Sequence, residues 1–263
     1  MSENILEKIA RDTKIRIEKQ KEEIPLSYLQ QQAKNISTAP SFYEALKKEG
    51  MSYICEVKKA SPSKGLIAPD FPYVDIAMEY EKAGASAISC LTEPKYFMGS
   101  DTYLKEICQH VSIPVLRKDF TIDPYMIYQA KVLGASAVLL ICSLLNDEQL
   151  VQYRMLTQSL QMDALVEAHD ALEVQRALKA GAKIIGVNNR DLKTFTIDMH
   201  NSIKLRQLAP DHVLFVSESG IQTHNDIQLL YENKVDAVLI GETLMRSSNK
   251  KEMLETLNGA KLK

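Results

Sequence analysis

Short apolar runs alternate with amphipathic helical patterns along most of this chain of 263 residues. Each apolar run is nearly continuous, without strict alternation, and this is typical of parallel strands that helices cover on the outside. Four runs directly follow predicted helix ends, and three of those ends carry glycine, which suits the left-handed residue after a helix. The pattern predicts eight strands, at 53–57, 86–91, 113–116, 136–141, 164–166, 183–187, 213–216 and 236–240.

Helix start signals lie between the predicted strands. Asp123 precedes Pro124, which places an N-cap before the residue favoured at the first helical position. Asp170, with Glu173 three residues later, resembles a capping box. Eight strands that alternate with helices indicate either a closed barrel or a doubly wound sheet.

The sequence that follows the first strand distinguishes between these two folds. No G-x-G-x-x-G motif follows it, so the dinucleotide-binding form of the doubly wound sheet lacks its signature. We therefore predict an α/β fold, a single (β/α)8 TIM barrel domain over residues 1–263. Residues 1–45 precede the first strand and are predicted to be a helical N-terminal extension packed on the barrel.

Composition and charge narrow the classes of partner. The chain has 32 basic and 34 acidic residues, so no basic excess is available for nucleic acid or a membrane surface. No apolar run approaches the roughly 18 residues that a membrane span needs. The N-terminal stretch has mixed charge and no apolar core, unlike a signal peptide, and the four cysteines are scattered. We expect a cytoplasmic protein.

Metal and cofactor signatures are missing from the sequence. The five histidines have no metal-ligand spacing, and no cofactor motif occurs. His169, near the predicted barrel mouth, is interpreted as a helix-start or surface residue. We expect neither a metal nor an organic cofactor.

Polar residues follow the predicted strands, at the end of a barrel where active sites lie. Those that we select as candidates are Glu56 and Lys58, Lys118, Glu167, Asn188 and Arg190, and Ser219. Any one of them is compatible with a solvated rim charge or a core ion pair. Buried lysines and carboxylates are costly unless they are paired or functional, so the set predicts acid–base chemistry.

Glycines after the last two strands indicate phosphate binding. Gly220 and the Gly241–Glu242 pair stand where barrels commonly bind phosphate with backbone N–H groups. The loop at 58–65 has three lysines and either wraps an anionic ligand or is a plain solvated loop.

Seven motifs lie at the strand ends: EVKKASPS at 56–63, LTEPKYF at 91–97, LRKDF at 116–120, LVE at 165–167, GVNNRDL at 186–192, SESG at 217–220 and IGETL at 240–244. In this order they resemble the successive motifs of the indole-3-glycerol-phosphate synthase family. The likeness covers residues 1 to about 257. It implies a lyase of tryptophan biosynthesis that closes the ring of 1-(2-carboxyphenylamino)-1-deoxyribulose 5-phosphate, releasing carbon dioxide and water, without metal or cofactor.

The resemblance also implies a role for each candidate residue. Lys118 matches the general acid of ring closure, Glu167 the carboxylate used in dehydration, and Lys58 a second proton donor; how the two lysines divide the steps stays open. Glu56, Asn188 and Ser219 match residues that orient these groups. The matched binding residues are Ser61 and Arg190 for the substrate, with Arg190 near its carboxylate; Phe97, Phe120, Leu139, Leu192 and Ile240 for its aromatic ring; and Lys58, Gly220, Gly241 and the Glu242 backbone for its phosphate.

Electrostatics adds further expectations. A partly desolvated lysine among lysines should have a lowered pKa, and a carboxylate among apolar walls a raised one, which predicts a bell-shaped activity–pH profile. The Glu242 side chain should point away from the phosphate, because its charge would repel the ligand.

Two other functions stay open at this level. A phosphoribosylanthranilate isomerase would leave Lys118 and Glu167 without a role, and a catalytically silent sugar-phosphate binder would not need both. We expect a small sugar-phosphate substrate and a monomer, and docking of another pathway enzyme is compatible with the sequence.

Overall fold

The computed structural model describes residues 5–191 and 196–259, where the backbone closes into a parallel eight-stranded barrel. Each strand pairs with the next along the chain, and β8 returns to β1 with Ser52 opposite Ala237. This confirms the predicted barrel. The eight barrel strands are β1 Ser52–Val57, β2 Ala87–Leu91, β3 Val115–Lys118, β4 Ala137–Ile141, β5 Asp163–Ala168, β6 Ile184–Asn188, β7 Leu214–Glu218 and β8 Ala237–Ile240, and a separate antiparallel pair joins Ala60–Ser61 to Gly65–Leu66.

Helices separate the strands and cover the barrel. The predicted N-cap at Asp123 is present, since its side chain accepts a hydrogen bond from the N–H of Tyr125. The helices in the described ranges are α1 Ile5–Glu23, α2 Leu26–Ala33, α3 Phe42–Leu46, α4 Tyr73–Lys82, α5 Asp101–His110, α6 Pro124–Leu133, α7 Asp147–Ser159, α8 Ala171–Lys179, α9 His200–Arg206, α10 His224–Glu232, α11 Glu242–Arg246 and α12 Lys250–Leu257.

Alternation along the strands divides the core into two layers. On β1, Cys55 and Val57 pack with the outer layer between strands and helices, whereas Ile54 belongs to the layer inside the barrel. Glu56 shares the inward face of Ile54, and the strand ends at the barrel mouth. Both layers are apolar, which explains the nearly continuous apolar runs.

The N-terminal helices lie on the barrel. Leu6 and Ile9 of α1 are buried against residues of the inner layer, and Phe42 and Leu46 of α3 are fully buried with the same group. Arg16 of α1 contacts buried Asp119, directly after β3, at 2.8 Å. No helix among the described residues is both long and apolar enough to cross a membrane.

Candidate active site

A cavity of about 390 Å³ opens at the carboxyl ends of the strands. Every predicted site residue in the described part of the chain lines it: Glu56, Lys58, Ser61, Phe97, Lys118, Phe120, Leu139, Glu167, Asn188, Arg190, Ser219, Gly220, Ile240, Gly241 and Glu242. Leu192 lies outside the described residues. Ile5, Leu6 and Ile9 also line the cavity, so α1 contributes a wall that the sequence did not assign to the site.

Lys118 lies between two buried carboxylates. Its Nζ is 3.5 Å from Oε2 of Glu167 and 3.5 Å from Oε2 of Glu218. Burial alone lowers the pKa of Lys118, but the negative charges of Glu218 and Glu167 outweigh it and hold the pKa above its ordinary value. The expected lowering is therefore wrong for Lys118, because this lysine faces carboxylates and not other lysines.

The pKa values of the two carboxyl groups around Lys118 are shifted in opposite directions. Burial raises the pKa of Glu167, but Lys118 and His169 more than offset this and lower it. For Glu218 burial is the largest effect, Lys118 opposes it only in part, and the charges of Glu167 and Glu56 raise the pKa further. The expected raised carboxyl pKa is therefore found at Glu218 and not at Glu167. Titratable pairs that are split in this way suit acid and base roles.

Glu218 is a site residue that the SESG motif at 217–220 contains but to which the sequence assigned no role, unlike Ser219 and Gly220. It shares the inward face of β7 with Val216, and that alternation was the signal that could have found it. Opposite, β6 has Gly186 at an inward position, and a Cβ there would overlap Oε1 of Glu218. A glycine in the middle of β6 thus makes room for this carboxylate.

His169 is the second residue that was passed over. Its Nε2 lies 3.3 Å from Oε1 of Glu167, and its Nδ1 lies 3.0 Å from Oε2 of Glu173. His169 directly precedes the N-cap of α8, which confirms the helix-start interpretation, whereas the alternative of a surface residue is wrong, because the side chain is only 22% exposed and is directed at the site. The predicted capping box is half present: Asp170 accepts from the N–H of Glu173, but the Glu173 carboxylate accepts from the N–H of His169 instead.

Glu56 and Lys58 form a second acid–base pair, with Lys58 Nζ 2.5 Å from Glu56 Oε1. Both face the cavity, as their spacing on the strand predicts. A Cβ at Gly241 would collide with the Glu56 carboxylate and approach Lys58 Nζ. Glycine at 241 therefore leaves room for this pair as well as for a ligand.

The loop after β7 has unusual backbone geometry. Ser219 has φ of 69° and Gly220 has φ of 91°, both in the left-handed region. Buried Asn189 stabilises this loop by donating to Ser217 Oγ at 2.9 Å and to the Ser219 carbonyl at 3.1 Å. Turns of this kind expose N–H groups to anions, and strained residues cluster at ligand sites.

Glu242 begins α11, directly after Gly241. Its carboxylate oxygen lies 3.1 Å from Arg246 Nε and 3.5 Å from Lys64 Nζ. The acid thus has two cations of its own beside the cavity. Its orientation relative to a bound phosphate stays a prediction.

Apolar side chains form the opposite wall. The rings of Phe97 and Phe120 lie with centroids 5.9 Å apart and 38° between their planes. Leu139 lies on the inward face of β4, and Ile240 ends β8. Asn188 Oδ1 accepts from the Arg190 N–H at 3.0 Å, which fixes the start of the loop that carries the guanidinium.

A closed barrel with lysines, glutamates and phosphate-type loops at one mouth defines a (β/α)8-barrel enzyme of small phosphorylated metabolites. The family model described as indole-3-glycerol phosphate synthase matches residues 6–257. The chain belongs to the indole-3-glycerol phosphate synthase family, whose members are decarboxylating lyases of tryptophan biosynthesis.

Relatives support the assignment over nearly the whole length. The indole-3-glycerol phosphate synthase of Ruminiclostridium cellulolyticum is 55% identical over 258 residues, covering 97% of this chain and 99% of its own. That of Endomicrobium trichonymphae is 54% identical, covering 96% and 99%. A solved 3-hexulose-6-phosphate synthase has a TM-score of 0.65 at 14% identity, over 80% of this chain and 99% of its own, and this shows the shared fold alone.

Proposed function

We propose that this chain converts 1-(2-carboxyphenylamino)-1-deoxyribulose 5-phosphate to indole-3-glycerol phosphate with lysine and glutamate as proton donors and acceptors. The observation that carries the proposal is Lys118 held between Glu167 and Glu218, at 3.5 Å from each, in a cavity whose other wall is apolar. A charged acid, an ionised base and a neutral carboxyl group are then available at neutral pH in one place.

Substrate binding divides between the two ends of the cavity. The phosphate binds the backbone of Gly220, Gly241 and Glu242, with Lys58 nearby. The aromatic ring lies against Phe97, Phe120, Leu139 and Ile240. Its carboxylate pairs with Arg190, and Ser61 contacts the substrate from the loop after β1. The lining of the cavity supports this orientation.

Ring closure needs an acid at the ketone. The ring carbon that carries the carboxylate attacks the carbonyl carbon, and the carbonyl oxygen takes a proton from Lys118. The raised pKa of Lys118 keeps it protonated until the developing alkoxide can accept the proton. The bond to carbon dioxide then breaks, and its electrons restore the aromatic ring.

Dehydration completes the reaction. The new hydroxyl leaves as water with a proton from a lysine, and Glu167 takes a proton from the newly closed ring. The lowered pKa of Glu167 keeps it ionised for this step. Glu56, Asn188 and Ser219 orient the lysines and the sugar hydroxyls.

We also propose that the whole chain of 263 residues acts as one domain, as a monomer and in the cytoplasm. Light scattering of the purified protein measures the oligomeric state.

The Lys118→Ala variant tests the proposed reaction. Purified protein is incubated with the substrate in excess EDTA, and the fluorescent indole product is followed. We expect turnover by the wild type and a loss of about 10²-fold or more in kcat for the variant, because a positioned acid is worth that much. Wild type that binds but does not turn over the substrate would contradict the proposal, and so would undiminished activity of the variant.

A further inference from the structure

The imidazole of His169 lies between two carboxylates. Strand β5 ends at Ala168, and His169 follows Glu167 by two residues, on the same side of the strand. The first turn of α8 places Glu173 four residues on, where Oε2 accepts from the His169 N–H at 2.8 Å and faces Nδ1 at 3.0 Å. These two contacts fix the ring, and its far edge faces Glu167.

Two facing carboxylates favour the charged form of the ring. Neutral imidazole has one N–H, so one of the two carboxylates would face a lone pair, whereas imidazolium carries a proton on each ring nitrogen and a positive charge that attracts both carboxylates. Burial alone lowers the pKa of His169, but interactions with Glu167 and Glu173 outweigh it and raise the pKa to about 10. The contact of Nε2 with Glu167 is an ion pair at 3.3 Å and lacks the alignment of a hydrogen bond.

Each oxygen of Glu167 thus has its own cation. Lys118 lies at Oε2 and His169 at Oε1, while the carboxylates of Glu218 and Glu56 lie beyond Lys118. Behind His169, Glu173 interacts with Arg176 of the same helix. When Lys118 gives its proton to the substrate it becomes neutral, and His169 is then the remaining counter-charge of Glu167.

We propose that His169 is a positioning residue, which holds Glu167 in place and ionised while Lys118 is discharged, and that Glu173 in turn holds His169. His169 does not itself line the cavity, so it acts through Glu167 and not on the substrate. The proposal rests on the base role proposed for Glu167.

The His169→Gln variant tests this through the pH profile of kcat. Removing a cation 3.3 Å from Glu167 raises the pKa of that carboxyl, so we expect the acid limb of the profile to move up by about one pH unit or more. Glu173→Gln should move it in the same direction by less, and should add little in the His169→Gln background. KM should change little. His110→Gln, an exposed histidine at the end of α5, is the matched control.

A profile for His169→Gln that keeps the wild-type limbs and falls only in height would overturn the proposal, since a merely structural loss has that form. A titration of His169 by nitrogen NMR in the wild type separates this from failure of the proposed reaction. We expect imidazolium through neutral pH. Titration near the ordinary histidine pKa would overturn the pairing whatever the enzyme's activity.

Discussion

Lys118, Glu167 and Glu218 lie within ion-pair distance of one another through Lys118, and the charges beside each group set its pKa. Glu167 has cations at both oxygens and is stabilised in its charged form. Glu218 has one cation at one oxygen, while Oε1 is buried without a hydrogen-bond partner among the described residues. Glutamate is therefore an ionised carboxylate at position 167 and a neutral carboxylic acid at position 218.

We expect Glu218→Gln to change how stability depends on pH. The folded wild type keeps a proton on Glu218 that the unfolded chain releases above about pH 4. The free energy of unfolding therefore falls as pH rises from there through the raised pKa of Glu218. The variant has no carboxyl group at this position and lacks this decrease. Its free energy of unfolding relative to that of the wild type should therefore rise by about 1 kcal/mol or more between about pH 4 and the raised pKa of Glu218.

Urea denaturation across that pH range measures the difference. Glu49→Gln, at an exposed carboxylate, should leave the wild-type dependence intact. Parallel curves for Glu218→Gln and wild type would show that Glu218 ionises normally.

Position at the carboxyl ends of the predicted strands indicated that Glu56, Lys58, Lys118 and Glu167 meet at the mouth, because barrel active sites lie at that end. Their pKa values did not follow in the same way. A pKa shift depends on which charges lie within a few ångströms, and Lys118 meets Glu218 from a strand 100 residues away in sequence. His169 was given no role in the site for the same reason, since the sequence shows Glu167 only as its neighbour along the chain.

Helix α1 covers the apolar side of the cavity, and the ion pair of Arg16 with Asp119 is the most buried of those that hold it there. Arg16 Nη2 donates to both oxygens of Asp119, at 2.8 and 3.0 Å, and Thr92 Oγ1 donates to the same carboxylate at 2.6 Å. Burial raises the pKa of Asp119, but Arg16 and Arg117 outweigh it and lower the pKa. The residue that follows the proposed acid Lys118 thus anchors the helix.

Arg16→Met should loosen this helix. Breaking a buried pair leaves Asp119 partly uncompensated, so we expect a loss of about 3 kcal/mol at neutral pH and a raised KM. The stabilisation is present above the ordinary aspartate pKa and is lost as pH falls through the lowered one, so the difference from wild type should narrow in acid. Chemical denaturation at several pH values measures it. Lys14→Met, on the exposed side of α1, is the control, and equal losses in both variants would contradict the anchor.

Strand boundaries show where the apolar pattern was an incomplete guide. The run predicted at 113–116 becomes Val115–Lys118 in the structure, because Pro114 has no N–H to donate to a neighbouring strand. The run at 164–166 extends to Ala168, and Glu167 lies inside the strand. In both cases the strand continues into the charged residues of the site. An apolar run stops before these residues, so it predicts an end of the strand that is too early.

The ligand contacts residues from strands all around the barrel, so its binding should stabilise the entire fold. Product at about 100 times its Kd should add about 2.7 kcal/mol to the free energy of unfolding, a shift of several degrees in Tm. Indole-3-glycerol without the phosphate is the matched control ligand, and we expect it to give a much smaller shift. Equal shifts from both at equal concentration would contradict the proposed phosphate loops. Differential scanning calorimetry measures both.

Closure between β1 and β8 has a consequence for synthesis on the ribosome. Ser52 pairs with Ala237, and Arg16 can pair with Asp119 only after another 103 residues have been synthesised. The first strand therefore leaves the ribosome with one edge unpaired, and this edge stays unpaired until β8 has been made. Contacts so distant in sequence form late and slowly, and until then the nascent chain exposes an apolar edge to other chains. Chaperone demand during translation should be greatest just before the eighth strand emerges.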